Sequence, residues 1–158
     1  MADASLPLGS DSVKVRKLVS DAIIPTRATP GSAGFDLYAV EDATIERGTR
    51  RWVSTGVALE LPTGMYARFV QRSGVSTAGI DLGAGLIDSD YQGQIKVLLI
   101  NNNKVSPSEK DNEPFEVKKG ARIAQMVIAE YWMGALKETT EVPEPTERGD
   151  KGFGSTGV

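Results

Sequence analysis

Two aspartates and a tyrosine stand between glycines in GAGLIDSDYQG, residues 83–93. A carboxylate at Asp88 could order a water, and the Tyr91 ring could pack on a sugar. Gly83, Gly85 and Gly93 lack the Cβ that holds a planar ligand away from the backbone. Paired N–H and C=O groups on such a hairpin can imitate a base-pairing edge. The same composition also suits a plain turn, because Asp and Gly favour turns. A second candidate is RSG, residues 72–74. Arg72 brings a guanidinium, Ser73 a hydroxyl and Gly74 a backbone able to approach phosphate closely. Arg122 and Gln125 in GARIAQ (120–125) either reach the same anion or decorate the solvated face of a strand. Asp36 interrupts an otherwise apolar strand in PGSAGFDLYA (30–39), as an edge residue or as a placed carboxylate.

The C-terminal stretch RGDKGFGSTGV (148–158) carries Gly149, Gly152, Gly154 and Gly157, too many glycines for a regular element. Arg148 and Phe153 have no place in a merely solubilising tail. Gly152 to Gly157 spells G-x-G-x-x-G, but that pattern binds dinucleotides only between a strand and a helix. With one residue following Gly157, no such site is expected. The Arg-Gly-Asp at 148–150 is a three-residue adhesion motif in a chain with no other secreted character.

Composition narrows the chemistry. The chain has no cysteine, which removes disulfides, thiol catalysis and cysteine zinc sites. It also has no histidine, so Ser-His-Asp triads and the usual transition-metal ligands are absent. Acid-base work falls to Asp, Glu, Lys or Tyr. A net charge of −3 argues against non-specific nucleic-acid binding. No P-loop occurs, and no apolar run approaches the roughly 18 residues of a membrane span. The first residues lack a signal peptide's basic start and apolar middle. A cytoplasmic or nuclear protein is expected, and viral or phage origin fits equally.

These residues must be held by strands. VKVRKLV, GFDLYAV, RRWVSTGVALELP, GMYARFVQR, QIKVLLINN, FEVKKG and ARIAQMVIAEYW are β-rich runs separated by turn residues at spacings near ten. That is the pattern of an all-β sandwich or barrel. At most one short helix follows RSGVST. The 158 residues suffice for one domain with a real core. The expected organisation is a disordered lead-in over 1–11, a β-barrel over 12–136, and an extended linker with a C-terminal lid arm over 137–158. NNNKVSPSEKDNEPFEV (101–117) reads as a long polar surface loop running into FEV.

In order and spacing, AGFDLYA, RSG, GLIDSDYQG, GARIAQ and RGDKGFGSTG resemble the five motifs of the trimeric dUTPases, over about residues 30–157. The resemblance implies a distorted jelly-roll β-barrel with a flexible glycine-rich C-terminal arm, and hydrolysis of dUTP to dUMP and pyrophosphate with Mg2+ on the triphosphate. It implies Asp88 as the general base, Tyr91 against the deoxyribose, and backbone around Gly83, Gly85 and Ile87 reading uracil. Arg72, Ser73, Gly74 and Gln125 match phosphate-contacting positions, and Asp36 matches one reaching Mg2+ through water. Arg148 would hold the γ-phosphate, Phe153 would stack on uracil, and Gly154, Ser155 and Thr156 would wrap the phosphates. Three subunits would share each site, with no nucleic-acid or membrane partner. The chain departs from the family in having Ala121 where an acid usually precedes the arginine, and Gln71 where proline usually precedes RSG. Two rival readings keep the fold but change the activity: a deoxycytidine-nucleotide deaminase, and a binding module that hydrolyses nothing.

Overall fold

A computed structural model describes residues 12–108, 112–144 and 146–150. The expected lead-in at 1–11 and the arm residues Phe153, Gly154, Ser155 and Thr156 lie outside the described residues. The elements run β1 (Lys14–Lys17), β2 (Phe35–Tyr38), β3 (Ala43–Ile45), β4 (Arg50–Ser54), β5 (Val57–Glu60), β6 (Met65–Val70), α1 (Ser73–Thr77), β7 (Ile80–Gly83), β8 (Leu86–Ile87), β9 (Lys96–Asn101), β10 (Phe115–Val117) and β11 (Arg122–Glu130). The fold is mostly β with one short helix, as the sequence pattern predicts.

Strand order explains how distant motifs meet. β2, β11, β6 and β8 form one sheet; β4, β9 and β7 form a second; β1 pairs with β5 and β10 with β3. All the strand pairs are antiparallel. Alternation along the strands turns Val97, Leu99 and Asn101 of β9 inward, where they meet Leu37, Ile45, Val53, Val57, Ile80 and Ile95. Each of these aliphatic side chains is fully buried, and each such burial stabilises by about 1.5–3 kcal/mol. Buried polar groups are paired: Thr55 Oγ1 donates to the Ile95 carbonyl at 2.7 Å and Asn101 Nδ2 to the Ile45 carbonyl at 2.9 Å.

The sequence pattern merges what the structure divides. The run at 50–62 is two strands, parted at Gly56, whose φ is 71°. A Cβ at Gly56 would lie 2.9 Å from both Ala22 Cβ and Val19 Cγ2, so the turn needs glycine on two counts. β3, β7 and β8 lie outside the β-rich runs read from the sequence, in short segments dominated by polar or turn residues at their ends. The long loop after β9 is present, and Arg47 staples its two ends. Its Nη1 donates to the Lys104 carbonyl at 3.2 Å and its Nε to the Glu113 carbonyl at 3.3 Å.

Beyond β11, residues 131–144 follow no regular secondary structure and lie exposed. Trp132, Met133, Leu136 and Val142 are 63–94% exposed there, an unusual density of open apolar surface. Among the described residues, no helix is long and apolar enough to cross a membrane.

Gly56→Ala should destabilise the domain by at least about 1–2 kcal/mol, the cost of a left-handed backbone at a residue with a Cβ. Urea denaturation checks this through a lowered midpoint at unchanged slope.

Candidate active site

β11 lies between β2 and β6, and that arrangement assembles the first cluster. Gln125 of β11 stands opposite Asp36 of β2 on one side and Val70 of β6 on the other. Two residues past Val70 the chain reaches Arg72, which caps α1 in an extended conformation. A register shift between Arg122 and Ala124 bends β11, a bulge that re-aims the arginine relative to regular pairing. Gly34 allows the close approach, because a Cβ there would meet Gln125 Cβ at 3.2 Å.

The product is a buried carboxylate ringed by donors. Asp36 is 2% exposed. Its Oδ1 lies 3.2 Å from Arg72 Nε and accepts a long 3.5 Å bond from Gln125 Nε2. Its Oδ2 lies 3.3 Å from Arg122 Nη1. Arg72 Nη1 also donates to the Arg122 carbonyl at 3.2 Å. β2 is the edge strand of its sheet, and on it Asp36 is also a placed carboxylate, held by two arginines. It supplies the support for Arg122 that Ala121 lacks. Ser73 and Gly74, at the start of α1, are exposed, and Gly74 borders open space.

The second cluster forms at the tip of the β7–β9 hairpin. Gly83 pairs with Leu98, and a Cβ there would lie 2.8 Å from Leu98 Cδ2. The Phe69 N–H donates to the Gly85 carbonyl at 2.8 Å. Alternation along that ladder makes Ala67 and Ile87 the next hydrogen-bonded pair and turns the Leu86 backbone away from β6. Much of the backbone at Gly83, Gly85 and Ile87 is thus committed to neighbouring strands. The edge that remains runs through Ala84 and Leu86. Ala84 has φ 43°, alone among the described non-glycine residues in being positive. That left-handed turn costs about 1–2 kcal/mol.

Asp88 and Tyr91 flank this edge across a cavity of about 580 Å³ that Ala84, Gly85 and Ile87 also line. The Tyr91 hydroxyl donates to the Gln94 carbonyl at 3.0 Å, folding the ring over Gly93. A Cβ at Gly93 would lie 2.6 Å from Tyr91 Cζ, so this glycine is the seat of the ring. The Asp88 carboxylate makes no hydrogen bond or ion pair with any described residue, and it borders a second cavity containing Glu130 and Tyr131. Sequence reasoning missed Trp52, Gln94 and Lys96, which line the first cavity. Only register could reveal Trp52, which stands opposite Leu98 and so in one row with Gly83.

Neither cavity bordered by Asp88 includes Arg72, Ser73 or Gln125. Within one chain, the carboxylate that could activate water and the cationic cluster occupy separate places. Arg148 is exposed in the described stretch at 146–150.

The chain matches the dUTPase family model over residues 20–157. It is 42% identical over 146 residues to the deoxyuridine 5'-triphosphate nucleotidohydrolase of monkeypox virus, covering 92% of this chain and 91% of the relative. The corresponding vaccinia virus (strain Copenhagen) protein matches at the same identity, with 93% of its length covered. A solved Staphylococcus bacteriophage 80alpha dUTPase variant with dUpNHpp superposes with a TM-score of 0.85 at 29% identity, covering 94% of this chain and 100% of that one. A phage phi11 dUTPase mutant, described with a structural Mg(II) ion, superposes at 0.75 and 25% identity over 83% of this chain and 98% of its own.

Gly93→Ala should push the Tyr91 ring off its seat while leaving the core intact. The expected result is an altered near-ultraviolet circular dichroism spectrum with a stability change below about 1 kcal/mol, as for a partly exposed site.

Proposed function

This chain belongs to the dUTPase family, and from that premise we propose that it hydrolyses dUTP to dUMP and pyrophosphate. Such a reaction limits uracil incorporation into DNA and supplies dUMP for thymidylate synthesis. One observation carries the assignment of parts: Asp88, Tyr91 and an uncommitted backbone edge line one cavity. Asp88 has no competing partner among the described residues, so its carboxylate is available to orient a water and take its proton. The resulting hydroxide adds to the α-phosphorus, and the bond to the bridging oxygen breaks. Pyrophosphate leaves with that oxygen. A general base in this role contributes about 100- to 10,000-fold.

Uracil presents an acceptor, a donor and an acceptor, which backbone groups at the hairpin tip can match. Cytosine puts a donor amine where uracil has an acceptor and would leave buried groups unpaired, a costly mismatch. The Tyr91 ring takes the deoxyribose face, where a ribose 2′-hydroxyl would collide. Arg72, Ser73, Gly74 and Gln125 take phosphate oxygens, with Arg122 beside them. Arg148, Phe153, Gly154, Ser155 and Thr156 close over the nucleotide and exclude water.

A homotrimer with shared sites is supported by two features. The water-activating and cationic clusters lie apart within one chain, and residues 131–144 leave large apolar side chains open for a neighbouring copy to cover. Among the described residues, no group of three or more acidic, histidine or cysteine side chains could hold a metal. The described residues form no Mg2+ cage, so an ion there would draw its ligands mainly from phosphate oxygens and water, with Asp36 the nearby carboxylate that could reach it through water. Bound there, it would neutralise triphosphate charge.

The test is pyrophosphate release from dUTP, dCTP, dTTP and UTP in parallel, with Mg2+ and after chelation. Strong preference for dUTP and loss of turnover on chelation are expected. Ammonia release from dCTP would point to a deaminase, and a folded trimer without hydrolysis to a binding module. Asp88→Asn should keep dUTP binding and lower turnover about 100- to 10,000-fold; near-normal turnover would remove Asp88 from this role. Deleting residues 148–158 should nearly abolish turnover with an almost unchanged melting temperature.

A further inference from the structure

The Asp36 cluster is spent differently from what the family resemblance implies. Both carboxylate oxygens face protein donors: Arg72 Nε and Gln125 Nε2 on one, Arg122 Nη1 on the other. The side chain is 3% exposed, whereas those of Arg72 and Arg122 are 26% and 48% exposed. The carboxylate is thus the buried floor, and the guanidinium heads are the surface that a ligand meets. Arg72 Nη2, and Arg122 Nε and Nη2, have no partner among the described residues. The cluster carries two positive charges and one negative. Without Asp36, the two guanidiniums would repel each other and turn outward separately.

We infer that Asp36 is a positioning residue for the phosphate-binding arginines, clamping Arg72 and Arg122 at one spacing and orientation, rather than a residue whose main task is to reach Mg2+ through water. The inference rests on the reading that this cluster receives the phosphates of a nucleotide. The clamp matters more in this chain because Ala121 cannot supply a neighbouring carboxylate for Arg122. A guanidinium held by one edge presents its other edge as a fixed fork, and preorganised donors bind phosphate more strongly than freely rotating ones.

The two roles separate when metal is removed. Inorganic pyrophosphate is titrated by calorimetry into the intact wild-type protein, Asp36→Asn and Asp36→Glu, in EDTA and again with Mg2+. Clamping predicts binding by the wild type in EDTA, weakened at least about tenfold by Asp36→Asn, as for loss of a charge-assisted contact. Asp36→Glu keeps the charge but displaces it, so it should also weaken binding. In an Arg72→Ala/Arg122→Ala background, Asp36→Asn should cost nothing further, because its partners are gone. Weakening confined to the Mg2+ titrations would overturn the inference, as would unchanged or tighter binding in EDTA or a full Asp36→Asn effect without the arginines. No pyrophosphate binding by the wild type would also overturn it. Separately, dUTP turnover by the same wild-type sample tests the underlying activity, so a failed clamp and a failed activity are told apart.

Discussion

A carboxylate at 2% exposure is tolerable only where charged donors replace the water it has lost. Asp36 meets that condition through two guanidiniums and an amide, and these partners, Arg72, Arg122 and Gln125, are all distant from it in sequence. Their meeting requires β11 to lie between β2 and β6 in one register. A slip of one residue would turn Gln125 to the other face and leave Asp36 short of a donor. The buried charge therefore ties register to site assembly. Removing its donors would leave an uncompensated buried ion, whereas an apolar residue in its place would release both arginines.

The hairpin tip obeys a steric constraint instead. Gly83 and Gly93 each occupy a place where a Cβ would strike a side chain, Leu98 in one case and Tyr91 in the other. Between them Ala84 adopts a left-handed turn. The strain is local and surrounded by ladders: Gly83 is fixed by β9, and Gly85 and Ile87 by β6. Two committed strands thus hold a short uncommitted edge in place. That is how a rigid scaffold can keep unpaired backbone groups ready for a planar ligand without losing them to a neighbour.

What could be read from the sequence follows the same division. The glycine-bracketed motifs name the residues of both clusters, since chemistry constrains their types directly. Strands bounded by turn residues declare themselves as β-rich runs, as β6, β9 and β11 do. What escaped reading depends on register. Trp52 lines the Asp88 cavity only because it stands opposite Leu98, and its own segment reads as ordinary strand. The two readings of Asp36 stayed open for the same reason, because a carboxylate within an apolar run shows that something must pair with it but not what. Gln71 is another case: where the resemblance leads one to expect proline, it donates to Asp81 and to the Ile80 carbonyl, bracing β7 against the end of β6.

A carboxylate as exposed as Asp88 does not by itself hold an attacking water in one place. Its value depends on what surrounds it at the moment of reaction. With no histidine in the chain, a side chain whose ordinary basicity lies near neutrality is not an available route. Orientation and dehydration are. In the proposed function the cavity would hold the nucleotide's base and sugar beside Asp88, and the cationic cluster would take the phosphates. In that proposal the segment bearing Arg148 and Phe153 would close over the nucleotide. Such closure would shield an exposed carboxylate from bulk water, which would make the arm part of the base's chemistry rather than an accessory to binding.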